Sequence, residues 1–170
     1  MVSFNYFRYF FEMSSQKYVL QTWKDNPILR SVAKPIEKVS KDIKTIWLDL
    51  LDLMRDFDGV GLAAPQVGLN IRLIATTQWK KKGKQLDLLG EQIMINPTII
   101  AKSEKMIIEE EACLSLPGIT GQVLRHEEIK VSYLDISGKQ QTKKFKWFDS
   151  VIIQHEVDHL DGILFIDKML

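Results

Sequence analysis

Two histidines four residues apart with a glutamate after the first, His155, Glu156 and His159, are the residues of this chain best placed to do chemistry. On a helix, positions i and i+4 project from one face, one turn apart, so the two imidazoles can share a cation. Glu156 is rotated by about 100° from His155. It can therefore reach a water at that cation without ligating it, the division of labour a metallohydrolase needs. The preceding run Val151-Ile152-Ile153 is apolar, so this helix is expected to be sunk into a core. A buried helix with two histidines and two acids needs a purpose, although satisfied core histidines remain an alternative on this motif alone.

Two further stretches offer chemistry. Gly59-Val60-Gly61-Leu62-Ala63-Ala64-Pro65-Gln66-Val67-Gly68 is a run of small residues that lets the backbone approach something closely, with Gln66 as its hydrogen-bonding side chain. It makes a weak phosphate loop, because position 64 is Ala and no Gly-Lys-Ser/Thr follows; a tight loop under the core is the other reading. Cys113 is the single cysteine, which forbids an intrachain disulfide and favours a reducing compartment. A lone thiol in a chain with a His pair is a candidate ligand or nucleophile. His126, the third histidine, is expected to face solvent and is given no role.

The elements that must position these residues read as α+β. Ser40 looks like an N-cap, and Ile43, Ile46, Trp47, Leu50, Leu53, Met54 and Phe57 recur at three and four, which predicts an amphipathic helix over 41–56. A second helix is expected over about 149–160. Tyr18 to Trp23 reads as a short extended segment, and Asp25-Asn26-Pro27 then Lys34-Pro35 punctuate an irregular N-terminal strap. Strands are predicted at Ile71 to Thr76, at Ile93 to Ile100 broken by Asn96-Pro97, and at Met106 to Glu109. Val123 to Glu127 and Glu128 to Asp135 alternate like a pair of strands, and Gln141 to Trp147 returns after a Ser137-Gly138 turn. Trp79 to Lys84 reads as a solvated hairpin loop, with RNA or ribosome contact as the functional alternative.

At 170 residues the chain is most simply one domain over 18–170, with residues 1–17 as an N-terminal extension or a mis-set start. Lys and Arg number 23 against 22 Asp and Glu, so net charge argues for neither DNA nor a membrane as partner. No apolar run approaches the roughly 18 residues of a membrane span. The cytoplasm is expected, with an organelle as the alternative.

Gly59-Val60-Gly61-Leu62-Ala63-Ala64-Pro65-Gln66, Glu111-Ala112-Cys113-Leu114-Ser115 and Gln154-His155-Glu156-Val157-Asp158-His159 occur in the order and spacing of the three motifs of peptide deformylases. The chain resembles that family from about Ile28 to Met169. The resemblance implies antiparallel and mixed sheets around a central helix carrying the His-Glu-x-x-His motif. It implies one divalent metal held by Cys113, His155 and His159, natively Fe2+, with Zn2+, Ni2+ or Co2+ equally suited by ligand type. It also implies Glu156 as general base, Gln66 and the Leu114 N–H as oxyanion donors, and Gly61 as the backbone partner of the substrate. Val60, Phe148, Val151 and Ile152 match the methionine pocket. The implied reaction is removal of the formyl group from N-formyl-methionyl nascent peptides by a monomer, with release of formate. Ala112 stands where the family has Gly, which weakens activity if that position needs φ > 0. Asp149 replaces an apolar residue and is expected to cap the second helix. The chain stops at Leu170, short of the C-terminal helix that docks some members on the ribosome. A general His-Glu-x-x-His metallopeptidase and a silent binding protein are the competing functions.

Overall fold

The computed structural model describes residues 18–83 and 85–170; the expected extension at 1–17 lies outside the described residues. Helix α1 spans Lys41–Asp56, with Ser40 Oγ accepting from Ile43 N at its N-cap. Such a cap satisfies one of the amides that the first turn leaves without a partner. Its inward face, Leu50, Leu51, Leu53 and Met54, packs with Leu62, Leu73 and Ile95.

Among the described residues seven strands form two sheets. Strands β1 (Gly61–Ala63), β2 (Leu73–Lys82), β3 (Gln85–Lys102), β6 (Glu128–Leu134) and β7 (Gln140–Lys146) build the larger sheet in that spatial order. Strands β4 (Met106–Ala112) and β5 (Thr120–His126) form the smaller. All these pairings are antiparallel; the isolated bridge Lys34 to Ile71 is parallel. Helix α2, Phe148–Leu160, lies between the sheets with ten of its 13 residues buried, which makes it the central element. Ile153, Val157 and Leu160 pack against Ile74, Met94, Ile129 and Phe145.

Four sequence expectations are corrected by the fold, the last of them at His126. Val123 to Glu127 and Glu128 to Asp135 do not pair with each other: β5 leaves for β4, whereas β6 joins β3 and β7. Trp79 to Lys82 is not loop but the outer half of β2, and the turn lies at Gly83. Asp149 is not a cap. The N-cap is Trp147, at φ 53°, and Asp149 Oδ1 instead accepts from Trp79 N at 2.9 Å. That amide falls beside the register shift between Gln78 and Trp79, so the carboxylate replaces a disturbed ladder bond. Burial raises the Asp149 pKa, and the Trp79 hydrogen bond only partly offsets this.

The expected break at Asn96 is real: its φ is 51° and the β3–β6 register shifts between Ile95 and Thr98. Asn96 Oδ1 accepts from Ile36 N and its Nδ2 donates to Ile36 O, both at 2.8 Å, which fastens the strap to the sheet. His126 is half-buried rather than solvent-facing, with Nδ1 at 2.7 Å from Ser103 O. Among the described residues no helix is long and apolar enough to cross a membrane.

The β6–β7 turn gives a pH-dependent prediction. Asp135 Oδ1 accepts from Ser137 Oγ, Ser137 N and Lys139 N, and Oδ2 from Gln141 Nε2. The Ser137 hydroxyl, then Gln141 and the backbone amides, hold its pKa at about 2 against an ordinary 3.8. Because the folded value is the lower one, this stabilisation is complete above the unfolded pKa and is lost as pH falls through about 2. NMR titration of the Asp135 carboxyl carbon checks it: a midpoint near 3.8 would contradict the network.

Candidate metal centre and active site

Three elements from different parts of the chain meet at α2. Cys113 follows β4, Gln66 lies in the 3-10 turn Ala64–Val67 after β1, and His155, Glu156 and His159 lie on α2. Cys113, His155 and His159 each offer a ligand atom, all within 4.8 Å of one another. Cys113 Sγ lies 3.3 Å from His159 Nε2. His155 Nδ1 is 2.7 Å from Glu111 Oε2, which leaves Nε2 as its free donor atom.

The surroundings suit a cation. Burial alone would lower the His155 pKa, but the Cys113 sulfur and the Glu111 carboxylate raise it to about 10. The same anions would favour a metal in place of that proton. Burial and the His155 charge keep His159 well below its ordinary value, hence neutral with a lone pair to give. Its Nδ1 is buried without a hydrogen-bond partner. A soft thiolate with two imidazoles is a donor set for one divalent transition metal with a coordination position left open. The residues present therefore fit such an ion.

Glu111 is itself held. Burial would raise its pKa, yet hydrogen bonds from Arg125 and His155 outweigh that and keep it at about 2. Arg125 donates to Glu111 through Nε at 2.6 Å and Nη2 at 2.9 Å, and to Asp158 Oδ2 through Nη1 at 2.5 Å. Lys168 Nζ reaches both oxygens of Asp158. Neither Arg125 nor Asp158 was assigned a part from sequence. The available signal was inward parity: Arg125 shares the face of buried Val123 on β5, where a charge must be paired.

Glu156 is 4 % exposed, and its Oε2 has no partner. Burial raises its pKa to about 7, against the lowering effect of His155. A Cβ built on Gly61 would stand 2.3 Å from Glu156 Oε1, so only glycine leaves room for this carboxyl. Gly61→Ala is therefore expected to cut kcat/KM by about 100-fold through misplacement of Glu156. Steady-state kinetics check this, and activity within threefold of the parent would contradict it.

Gln66 is buried, with Oε1 accepting from Ala63 N at 2.8 Å. Its Nε2 lies 3.2 Å from Ser115 Oγ and 3.6 Å from Cys113 Sγ. The amide orientation is thus fixed, with its NH2 toward the thiol. Sequence reasoning gave Ser115 no part.

A cleft of about 570 Å³ opens over these groups. It is lined by Val60, Gly61, Gln66, Cys113, Leu114, Phe148, Val151, Ile152, His155 and Glu156. Every candidate site residue thus borders it except His159, which is 1 % exposed, with Nε2 against the Cys113 sulfur. Ala112 borders the cleft but is not at positive φ; it pairs with Thr120 as ordinary strand, so its methyl introduces no backbone strain.

Residues 20–170 match the family model described as polypeptide deformylase. The chain belongs to the polypeptide deformylase family. It is 42% identical over 142 residues to the peptide deformylase of Picosynechococcus sp., covering 84% of this chain and 74% of that one. It is 37% identical over 145 residues to the chloroplastic peptide deformylase 1B of Oryza sativa, covering 85% of this chain and 52% of that one. The crystal structure of a class I type b peptide deformylase from Acinetobacter baumannii with Met-Ala-Ser bound superposes with a TM-score of 0.83. There the identity is 33%, with 89% of this chain and 98% of that chain covered. The deformylase family is metal-dependent, in keeping with the Cys-His-His cluster of this deformylase.

Proposed function

We propose that this deformylase removes the formyl group from the N-terminal formyl-methionine of newly made polypeptides, with Cys113, His155 and His159 holding one divalent metal. One observation carries the reading: a buried carboxyl with an unpartnered oxygen lines the same cleft as Cys113 and His155 of a three-ligand cluster, beside apolar residues. When bound, the ion supplies Lewis acidity, which polarises the formyl group and makes water acidic enough to be a nucleophile near neutral pH.

The remaining work falls to the chain. Val60, Phe148, Val151 and Ile152 take the methionine side chain, whose unbranched thioether adapts to an apolar wall. The outer edge of β1 at Gly61 is unpaired in the sheet order and offers backbone groups to an extended peptide. Glu156 takes the proton from the attacking water and returns it to the departing amine nitrogen. The Gln66 amide and the Leu114 N–H donate to the oxyanion that develops at the formyl oxygen; each such donor is worth about 3 kcal/mol. Glu111 fixes the His155 ring through Nδ1, the carboxylate-to-histidine support common behind metal ligands.

The native ion in this reading is Fe2+, and the working unit is the monomer. The cytoplasm is its compartment, with an organelle as the alternative suggested by the chloroplastic relative. Protein purified without oxygen should release formate from formyl-Met-Ala-Ser and leave Met-Ala-Ser intact. Cleavage of internal peptide bonds without formate would replace this reading with a general metallopeptidase.

A further inference from the structure

The two loops that bear the oxyanion donors belong to different sheets: Gln66 follows β1 of the larger sheet, whereas Leu114 and Ser115 follow β4 of the smaller. Across this boundary the Gln66 amide meets Ser115 Oγ at 3.2 Å and Cys113 Sγ at 3.6 Å, which are side-chain contacts. The N-terminal strap crosses both loops. Gln21 N donates to Gln66 O at 2.7 Å, and Trp23 N donates to Ser115 O at 2.9 Å. The donors are two residues apart, as in extended chain where alternate groups face one way. Among the described residues no other segment gives backbone hydrogen bonds to both loops.

The strap is braced internally. Asn26 Nδ2 donates to Gln21 Oε1 at 3.1 Å, and Gln21 Nε2 donates to Val19 O at 3.0 Å. Trp23 sits at φ 75°, a left-handed backbone that a bulky residue rarely adopts, although its side chain is 60 % exposed. Strain of this kind persists only where surrounding bonds impose it, and here Trp23 is held at both ends, its N donating to Ser115 O and its O accepting from Asn26 N at 3.2 Å. The backbone, not the indole, is therefore the part the site uses.

We propose that the strap over 18–23 is a positioning element of the active site, its Gln21 and Trp23 amides setting the Gln66 side chain against the Cys113–Ser115 loop. This rests on the deformylase reading above and adds a segment outside its three motifs. No strap residue borders the methionine cleft, so substrate binding should not depend on it. What depends on it is the placement of oxyanion donors, where a displacement of about 1 Å can cost about 100-fold in rate.

The test replaces Gln21, and separately Trp23, by the corresponding α-hydroxy acid in the full chain, which exchanges one N–H for an ester oxygen and keeps the side chain. The expected result is a kcat lowered by about tenfold or more, with KM and metal content within twofold of the parent. The Gln66 side-chain amide, followed by 15N NMR in metal-free protein, should broaden or exchange faster. Trp23→Gly, which keeps the amide and suits the backbone angle, should retain kcat within twofold. An unchanged kcat and unchanged Gln66 signals in both esters would overturn the proposal. So would a parallel loss of kcat, KM and metal, the mark of general unfolding, or a Trp23→Gly protein as slow as the esters. Absence of formate release by the parent would strike the deformylase reading instead, while the Gln66 signals would still report on the strap.

Discussion

A Glu156→Gln protein keeps its metal and loses at least about 100-fold in formate release, the lower end of what a positioned general acid–base group contributes. The expectation follows from position. Glu156 borders the cleft, is buried, and has one oxygen without a partner, so its carboxylate is committed to nothing structural. Glutamine has the same shape and can still fill the space against Gly61, but it cannot take a proton from water or pass it to an amine. Cys113, His155 and His159 are untouched, so metal content should match the parent. Formate assays with metal analysis on the same sample check both halves. Turnover within tenfold of the parent would remove Glu156 from the mechanism.

The largest loss of stability is expected from Arg125→Ala. This guanidinium is 2 % exposed and joins Glu111 on β4 to Asp158 on α2. Its removal takes the paired donors from Glu111, which keeps only His155 Nδ1, and leaves Asp158 to the half-exposed Lys168. Breaking a buried pair in this way costs about 3–5 kcal/mol. Urea denaturation should show that drop, and a loss under 1 kcal/mol would contradict the structural role. Function suffers as well. Glu111 supports the His155 ring, and loss of such outer support typically weakens metal affinity by about 10–100-fold. Arg125→Lys should recover only part, because an ammonium cannot give the paired donation that Glu111 receives.

What could be read before folding follows from how local each signal is. Helix α1 was legible nearly to the residue, because its 3.6-residue period and Ser40 cap are local. The grouping of Cys113 with His155 and His159 was legible only from the three motifs taken together, since each alone left another reading open; Val60, Phe148, Val151 and Ile152 line one cleft with Cys113 and His155. Strand pairing was not. β5 and β6 have similar alternation and are separated by Glu127 alone, so nothing local says that they part; the pairing of Arg125 across to α2 goes with β5 into the smaller sheet. Lysines at 80–82 hid the outer part of β2, since all three are exposed and a strand solvated on both faces shows no apolar alternation. Asp149 misled for a related reason. An acid at a helix start usually caps it, but here the bulge at Trp79 offered a closer amide.

The proposed mechanism needs one ion shared by a sulfur and two ring nitrogens. X-ray absorption at the metal edge, on protein purified anaerobically and assayed for formate in parallel, measures that sharing directly. The predicted result is about one divalent metal per chain, with one sulfur and two imidazole nitrogens in its coordination shell. A metal bound without sulfur, in protein that still deformylates, would contradict it.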